Sequence, residues 1–168
     1  METISITERP YRPGDLEALV RLFADSVHAL AGTHYSKDQL NAWAPRVPDL
    51  NRWAERFAGL QTIVAEVGGS PAGFISYTRS GYIDFAFTAP RQARSGIATR
   101  LFRRAEATLR AEGVSRLTVH ASLAARAFFE RMGFVVDQEE MVECRGMSLC
   151  RFAMSKCIAT ARPPIAAS

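Results

Sequence analysis

The stretch RQARSGIATR, residues 91–100, carries residue types that can hold a phosphate: arginines, a serine and a single glycine. Pro90 ends a strand-like run before it, and apolar positions recur at helical spacing from Ile97 onward. A helix N-terminus leaves amide N–H groups without intrahelical acceptors, and the helix dipole adds partial positive charge there. Arg94 and Ser95 supply a cation and a hydroxyl, Gly96 allows close backbone approach, and Ala98 is too small to block it. The expected phosphate contacts therefore run through Arg94, Ser95, Gly96, Ile97, Ala98 and Thr99. The loop has neither the Gly-Lys-Ser/Thr of a Walker loop nor the three glycines of a dinucleotide fingerprint. Taken alone, a glycine at this place is more often simple helix entry.

The elements that must position this loop are visible in the patterning. GYIDFAFTAP reads as a strand stopped by Pro90. After the loop, Ile97, Ala98, Leu101, Phe102, Ala105 and Leu109 form one apolar stripe, with Arg100, Arg103, Arg104, Glu106 and Arg110 assigned to the opposite face. Gly113 closes this helix. Upstream, the patterning predicts a strand over 4–9 and a helix from Gly14 to Gly32. A short helix capped by Ser36 and Gln39 and ended before Pro45 follows, then another over 50–58. LQTIVAEV and GFISYTR read as a hairpin. Downstream come a strand over 116–120, a helix over 123–132 and two strands turning at Arg145-Gly146. The order βααα, βββ, αβαββ predicts an α+β fold.

Composition limits the alternatives. A chain of 168 residues, 48% of them hydrophobic, can build one core, so residues 1–157 are expected to form a single domain. Residues 158–168, poor in apolar side chains, are expected to be a loose tail. Cys144, Cys150 and Cys157 match no zinc-ligand spacing, so no metal is expected, and their odd number argues against a disulfide framework. The net charge of +4 suits an anionic ligand. Its arginines sit beside acidic residues, which argues for a solvated helix face and against nucleic acid. No apolar run approaches the ~20 residues of a membrane span, and METISITERPYRP lacks the apolar core of a secretory signal. The expectation is a soluble, cytoplasmic protein with no membrane partner. Its oligomeric state stays open, a homodimer included.

Two motifs in order carry a family resemblance. FTAPRQARSGIA supplies a proline, a central glycine and a final small residue, and SLAARAFFERMGF supplies Ala125, an aromatic at 129, Gly133 and Phe134. With a helix and a strand between them, they resemble the GNAT superfamily of acyl-CoA-dependent N-acetyltransferases. That pattern is a strand ending V-x-P, a loop Q/R-x-x-G-x-G/A, a helix, a strand and N-x-x-A-x-x-x-Y-x-x-x-G-F. HYSKDQLNAWAP and SLAARAFFERMGF resemble the YafP-like branch in particular. Three positions depart from the pattern: Ala93 replaces the first Gln or Arg, with Gln92 and Arg94 flanking it; Ser122 replaces Asn; Phe129 replaces Tyr. A phenyl ring packs but donates no proton.

The resemblance implies a mixed, mostly antiparallel sheet of about seven strands with helices on both faces. It also implies acetyl-CoA as co-substrate, lying between GYIDFAFT and RLTVH with backbone groups of Phe87 and Thr88 on its pantetheine and Ser122 and Phe129 nearby. A small-molecule or peptide amine would attack the thioester directly in a ternary complex. Asp84, which interrupts an apolar strand, is the expected base, with Tyr82 as the alternative on its face beside Ala86; pairing of Asp84 with an arginine is the competing expectation. His120 is either a base or an exposed strand-end residue. His34, Tyr35 and Trp43 are expected at the acceptor end, although each tryptophan also suits a core position. Phe129 and Ala93 keep open a weak or inactive CoA-binding module of the same fold.

Overall fold

The computed structural model describes residues 4–159. The elements are β1 (Ile6–Pro10), α1 (Leu16–Leu30), α2 (Lys37–Trp43), α3 (Leu50–Ala58), β2 (Gln61–Val67), β3 (Ser70–Tyr77), β4 (Tyr82–Thr88), α4 (Ile97–Ala111), β5 (Arg116–Ser122), α5 (Arg126–Arg131), β6 (Val135–Cys144) and β7 (Met147–Cys157). They build one seven-stranded sheet in the order β1-β2-β3-β4-β5-β7-β6. Its pairs are antiparallel except β4–β5, which is parallel because α4 carries the chain back across the sheet.

Local chemistry accounts for the boundaries. Ser36 and Gln39 form the expected capping box: the Gln39 amide donates to the Ser36 hydroxyl at 3.2 Å, and the Ser36 amide donates to the Gln39 side chain at 2.8 Å. Asp49 accepts from the Arg52 amide at the start of α3. α5 begins three residues later than the patterning suggests, because residues after Ser122 form a turn in which the Ser122 hydroxyl accepts from the Ala125 amide at 3.1 Å. Ile158, assigned to the tail in sequence, is buried and donates its amide to the Ser115 carbonyl at 2.9 Å. The rest of the expected tail, from residue 160, lies outside the described residues.

Each face of the sheet is covered by its own apolar layer. On one face, Leu19, Phe23 and Val27 of α1 and Phe57 of α3 pack on Phe74 and Phe85. On the other, Ile97, Leu101, Phe102 and Leu109 of α4 join Ile75, Leu117 and Met154. α4 sits so low on β3 that a Cβ at Gly73 would lie 2.7 Å from Ile97 and 3.0 Å from the Phe87 carbonyl. Only glycine permits that approach, which fixes where the N-terminus of α4 lies relative to β4.

Glu106 does not join the solvated face that its spacing suggests. Its side chain is only 7% exposed and holds Lys156 of β7 at 2.6 Å, with Arg103 and Arg110 at 3.6 and 3.7 Å. Buried charge persists only when paired, so α4 is locked to β7. Lys156→Met leaves this carboxylate with its two distant arginines and should lower stability by about 3 kcal/mol, the low end for breaking a buried pair. Adding Glu106→Gln should recover most of that loss. Urea unfolding of the two single variants and the double variant checks it.

Candidate active site

Strands β4 and β5 share register at Tyr82↔Thr118 and Ile83↔Val119, and beyond that they pair no further. The start of the ladder is pinned at Gly81, whose carbonyl accepts from the Thr118 amide at 3.0 Å and whose missing Cβ would strike the Arg116 carbonyl at 2.6 Å. The separation begins at a bulge. Ser76 pairs with Phe85 and Tyr77 with Ile83, so Asp84 is an extra residue on β4.

The bulge resets which face each side chain takes. Period-two alternation would group Tyr82, Asp84 and Ala86. Instead Ile83 and Ala86 belong to the α4 layer, and Phe85 and Phe87 to the α1 layer. Asp84 reaches the α1 side, where Arg56 of α3 grips its carboxylate at 2.6 and 3.0 Å and also lies 4.3 Å over the Phe85 ring. The arginine pairing is therefore the outcome for Asp84, and both of its oxygens are engaged. Arg56 escaped attention in the sequence, although it stands three positions after Trp53 on a helix whose stripe points to this sheet.

Where the strands part, a cleft of about 880 Å³ opens, lined among others by Trp43, Tyr82, Asp84, His120, Ser122 and Phe129. Hydrogen-bond direction decides which backbone groups face it. The Ala89 amide donates to the Ala72 carbonyl of β3 at 2.8 Å, and the Phe87 carbonyl approaches Gly73. Alternation then turns the polar groups of Phe87 toward β3 and those of Thr88 toward the open side. The expectation for Thr88 fits this geometry; that for the Phe87 backbone does not, and Phe87 contributes its ring, 4.9 Å from Phe23.

The loop after β4 keeps its donors free. Gly96 caps α4 with φ +85°, and a Cβ there would meet nothing within 4 Å. Among the described residues, the amides of Gly96, Ile97, Ala98 and Thr99 have no acceptor. Arg94 is exposed beside them, with φ +60° that costs a non-glycine residue roughly 1 kcal/mol. The Ser95 hydroxyl instead donates to the Gln92 carbonyl at 2.5 Å and braces the loop. Gln92 lines a separate hollow beside Asp25 and His28, whereas Arg94 stays exposed beside the free amides.

The acceptor-end candidates separate. His34 is exposed and off the cleft wall. Trp43 is half-buried on that wall, edge-on to Tyr35 at 5.6 Å, so core and cleft roles coincide in one ring. Tyr35 is buried, and its hydroxyl donates to the Cys150 carbonyl at 2.7 Å and accepts from the Leu123 amide at 2.9 Å. Burial pushes its pKa up, against the opposing effect of the Leu123 amide. It ties β7 to the turn before α5. Phe129 is buried edge-on against Phe128 and Phe134.

A polar row crosses the open side of the β4–β5 junction. The Tyr82 hydroxyl lies 3.0 Å from His120 Nδ1, His120 Nε2 lies 3.8 Å from Glu140, and Glu140 accepts from Arg151 Nε at 3.1 Å. Burial raises the Tyr82 pKa, and the nearby Asp84 charge raises it further. Glu140 and Arg151 went unnoticed in the sequence, yet their pairing follows by counting back from the Arg145-Gly146 turn, since Cys144 faces Met147.

This arrangement, a sheet parted at β4–β5 with free amides at the following helix, agrees with comparisons to known proteins. The model of the acetyltransferase (GNAT) domain matches residues 32–156. The chain belongs to the GNAT family of acetyltransferases. It is 40% identical over 150 residues to the uncharacterized N-acetyltransferase YafP of Escherichia coli (strain K12), covering 89% of this chain and 95% of that one. A GCN5-related N-acetyltransferase from Rhodopseudomonas palustris is 31% identical, with a TM-score of 0.88 over 94% of this chain and 99% of that one. At 18% identity, yncA from Salmonella typhimurium, solved with its cofactor acetyl-CoA, shares the fold with a TM-score of 0.68 over 97% of this chain and 99% of that one.

The Tyr35 tether generates one test. Tyr35→Phe removes both hydrogen bonds and leaves a carbonyl and an amide in a buried setting, for a loss of about 1–3 kcal/mol. Guanidinium unfolding of the variant against wild type measures it.

Proposed function

We propose that this protein transfers an acetyl group from acetyl-CoA to a primary amine, small molecule or peptide, by direct attack within a ternary complex. The observation that supports it most is the row of four acceptor-free amides at the N-terminus of α4, next to Gly96 and Arg94. These groups suit a pyrophosphate: the donors point outward, the dipole is favourable, and a cation stands beside them. Thr88 offers backbone groups to an extended amide-bearing arm in the β4–β5 gap, and Ser122 and Phe129 line its inner end. Bound there, the co-substrate supplies an acyl group activated as a thioester.

The chain's own residues provide orientation and proton handling. Asp84, anchored by Arg56, would draw an acceptor ammonium into the cleft by charge; taking up a proton itself would cost it a bond to the guanidinium. Tyr82 presents a hydroxyl at the mouth of the gap. Trp43 and Tyr35 would supply aromatic walls for the acceptor, whereas His34 lies too far outside to share in it. No covalent enzyme intermediate is needed.

Acetyl-CoA should raise the melting temperature, with a stabilisation that grows with the logarithm of its concentration above Kd and reaches about 2.7 kcal/mol at a hundredfold excess. Gly96→Val, which forces a β-branched residue into left-handed backbone and crowds the amides, should abolish that shift. Thermal melts with acetyl-CoA and CoA, followed by a free-thiol release assay over an amine panel, decide the matter. No shift with either ligand overturns the proposal, and a shift without thiol release favours an inactive CoA-binding module.

A further inference from the structure

We propose that His120, acting through the Tyr82 hydroxyl, receives the proton that the acceptor amine must lose, and that Glu140 positions its ring. The proposal rests on the acetyltransferase reading above and adds the proton path to it. The groups that the sequence singled out beside the gap are less suited to the task. Asp84 has both oxygens on Arg56, the Ser122 hydroxyl holds the Ala125 amide, and the ring at Phe129 has no hydroxyl. Tyr82 stands on the first β4–β5 rung and His120 one residue past the last, so their pair spans the point where the gap begins, and both residues line the cleft.

The tautomer follows from the partners. The Glu140 carboxylate, 3.8 Å from Nε2, can only accept, which favours the hydrogen on Nε2 and leaves Nδ1 to accept from the Tyr82 hydroxyl at 3.0 Å. Charged and titratable groups reach this imidazole from every neighbouring strand: Tyr82 from β4 with Asp84 and Arg56 behind it, Glu140 from β6, and Arg151 from β7. Glu140 steadies the imidazolium once formed, and Arg151 holds Glu140 in place. In the step itself, the amine nitrogen bonds the carbonyl carbon and the carbon–sulfur bond breaks, its electron pair leaving on the CoA thiolate. The amine proton passes to the Tyr82 oxygen while the Tyr82 proton passes to Nδ1. His120, its side chain 34% exposed, releases that proton to solvent, and the thiolate takes one from water.

The test compares kcat against pH for the wild type, His120→Gln and Tyr82→Phe, using an acceptor from the amine panel. An imidazole that must be neutral imposes a rise in kcat somewhere across about pH 5 to 8. Both variants should lose that rise and about 100-fold or more in kcat, while the acetyl-CoA melting shift persists. Exogenous imidazole should restore part of the rate to His120→Ala. His120 is one of only three histidines, and the positions of its ring resonances in proton NMR should change on Tyr82→Phe and on Glu140→Gln. A His120→Gln enzyme with wild-type kcat and pH profile overturns the proposal; so does uniform loss at every pH with no imidazole rescue, or His120 ring resonances unchanged by Tyr82→Phe. A wild type without an acetyl-CoA shift points to failure of the underlying acetyltransferase reading instead.

Discussion

Between Ser76 and Tyr77 of β3, the facing strand runs through Phe85, Asp84 and Ile83, and the ladder absorbs the extra residue as a bulge at Asp84. A bulge bends its strand and increases the local twist. Here that bend coincides with the end of the β4–β5 ladder, so β4 keeps its partner on one side and loses it on the other. The gap, the freed polar groups of Thr88 and the exposure of Asp84 to Arg56 all descend from that one residue. Parallel strands hold each other less tightly per residue than antiparallel ones, which makes this the rung of the sheet where parting costs least.

A parted sheet needs a rigid frame, and both faces supply one. Phe23, Trp53, Phe57, Phe74, Phe85 and Phe87 contact each other edge-on, tilted or stacked across the α1 side, with ring centroids 4.9 to 6.2 Å apart. Such pairs add about 0.5–1.5 kcal/mol each beyond burial, so the wall of the cleft is also part of the core. On the opposite face, the glycine contact at Gly73 and the buried Glu106–Lys156 pair fix α4 from below and from the side. The free amides at its N-terminus are thereby held at a set height above the gap.

The same frame explains why aromatic residues expected beside a ligand from the sequence are also part of the core. Tyr35 uses its hydroxyl to join β7 to the turn before α5, and Trp43 packs against it. Each side chain also reaches the cleft, because the cleft is cut into the edge of the core. His34, on the exposed stretch after α1, has no such framing and falls outside.

Local chemistry made much of this protein legible. The capping box at Ser36, the stop at Pro90, the glycine at the start of α4 and the turn at Arg145-Gly146 act within a few residues, so spacing reveals them, and the element order and the two family motifs follow. What depended on residues far apart in the chain did not show. The Asp84 bulge exists only against β3, and it overturned the alternation that had placed Asp84 with Ala86. The direction of the Phe87 carbonyl is set by Gly73, the Arg56 grip on Asp84 by the docking of α3, and the nearness of Tyr82 to His120 by a parallel ladder that forms across α4. Periodicity assigns a side chain to a face, but a bulge moves that face by one residue, and only the paired strand decides where the bulge falls.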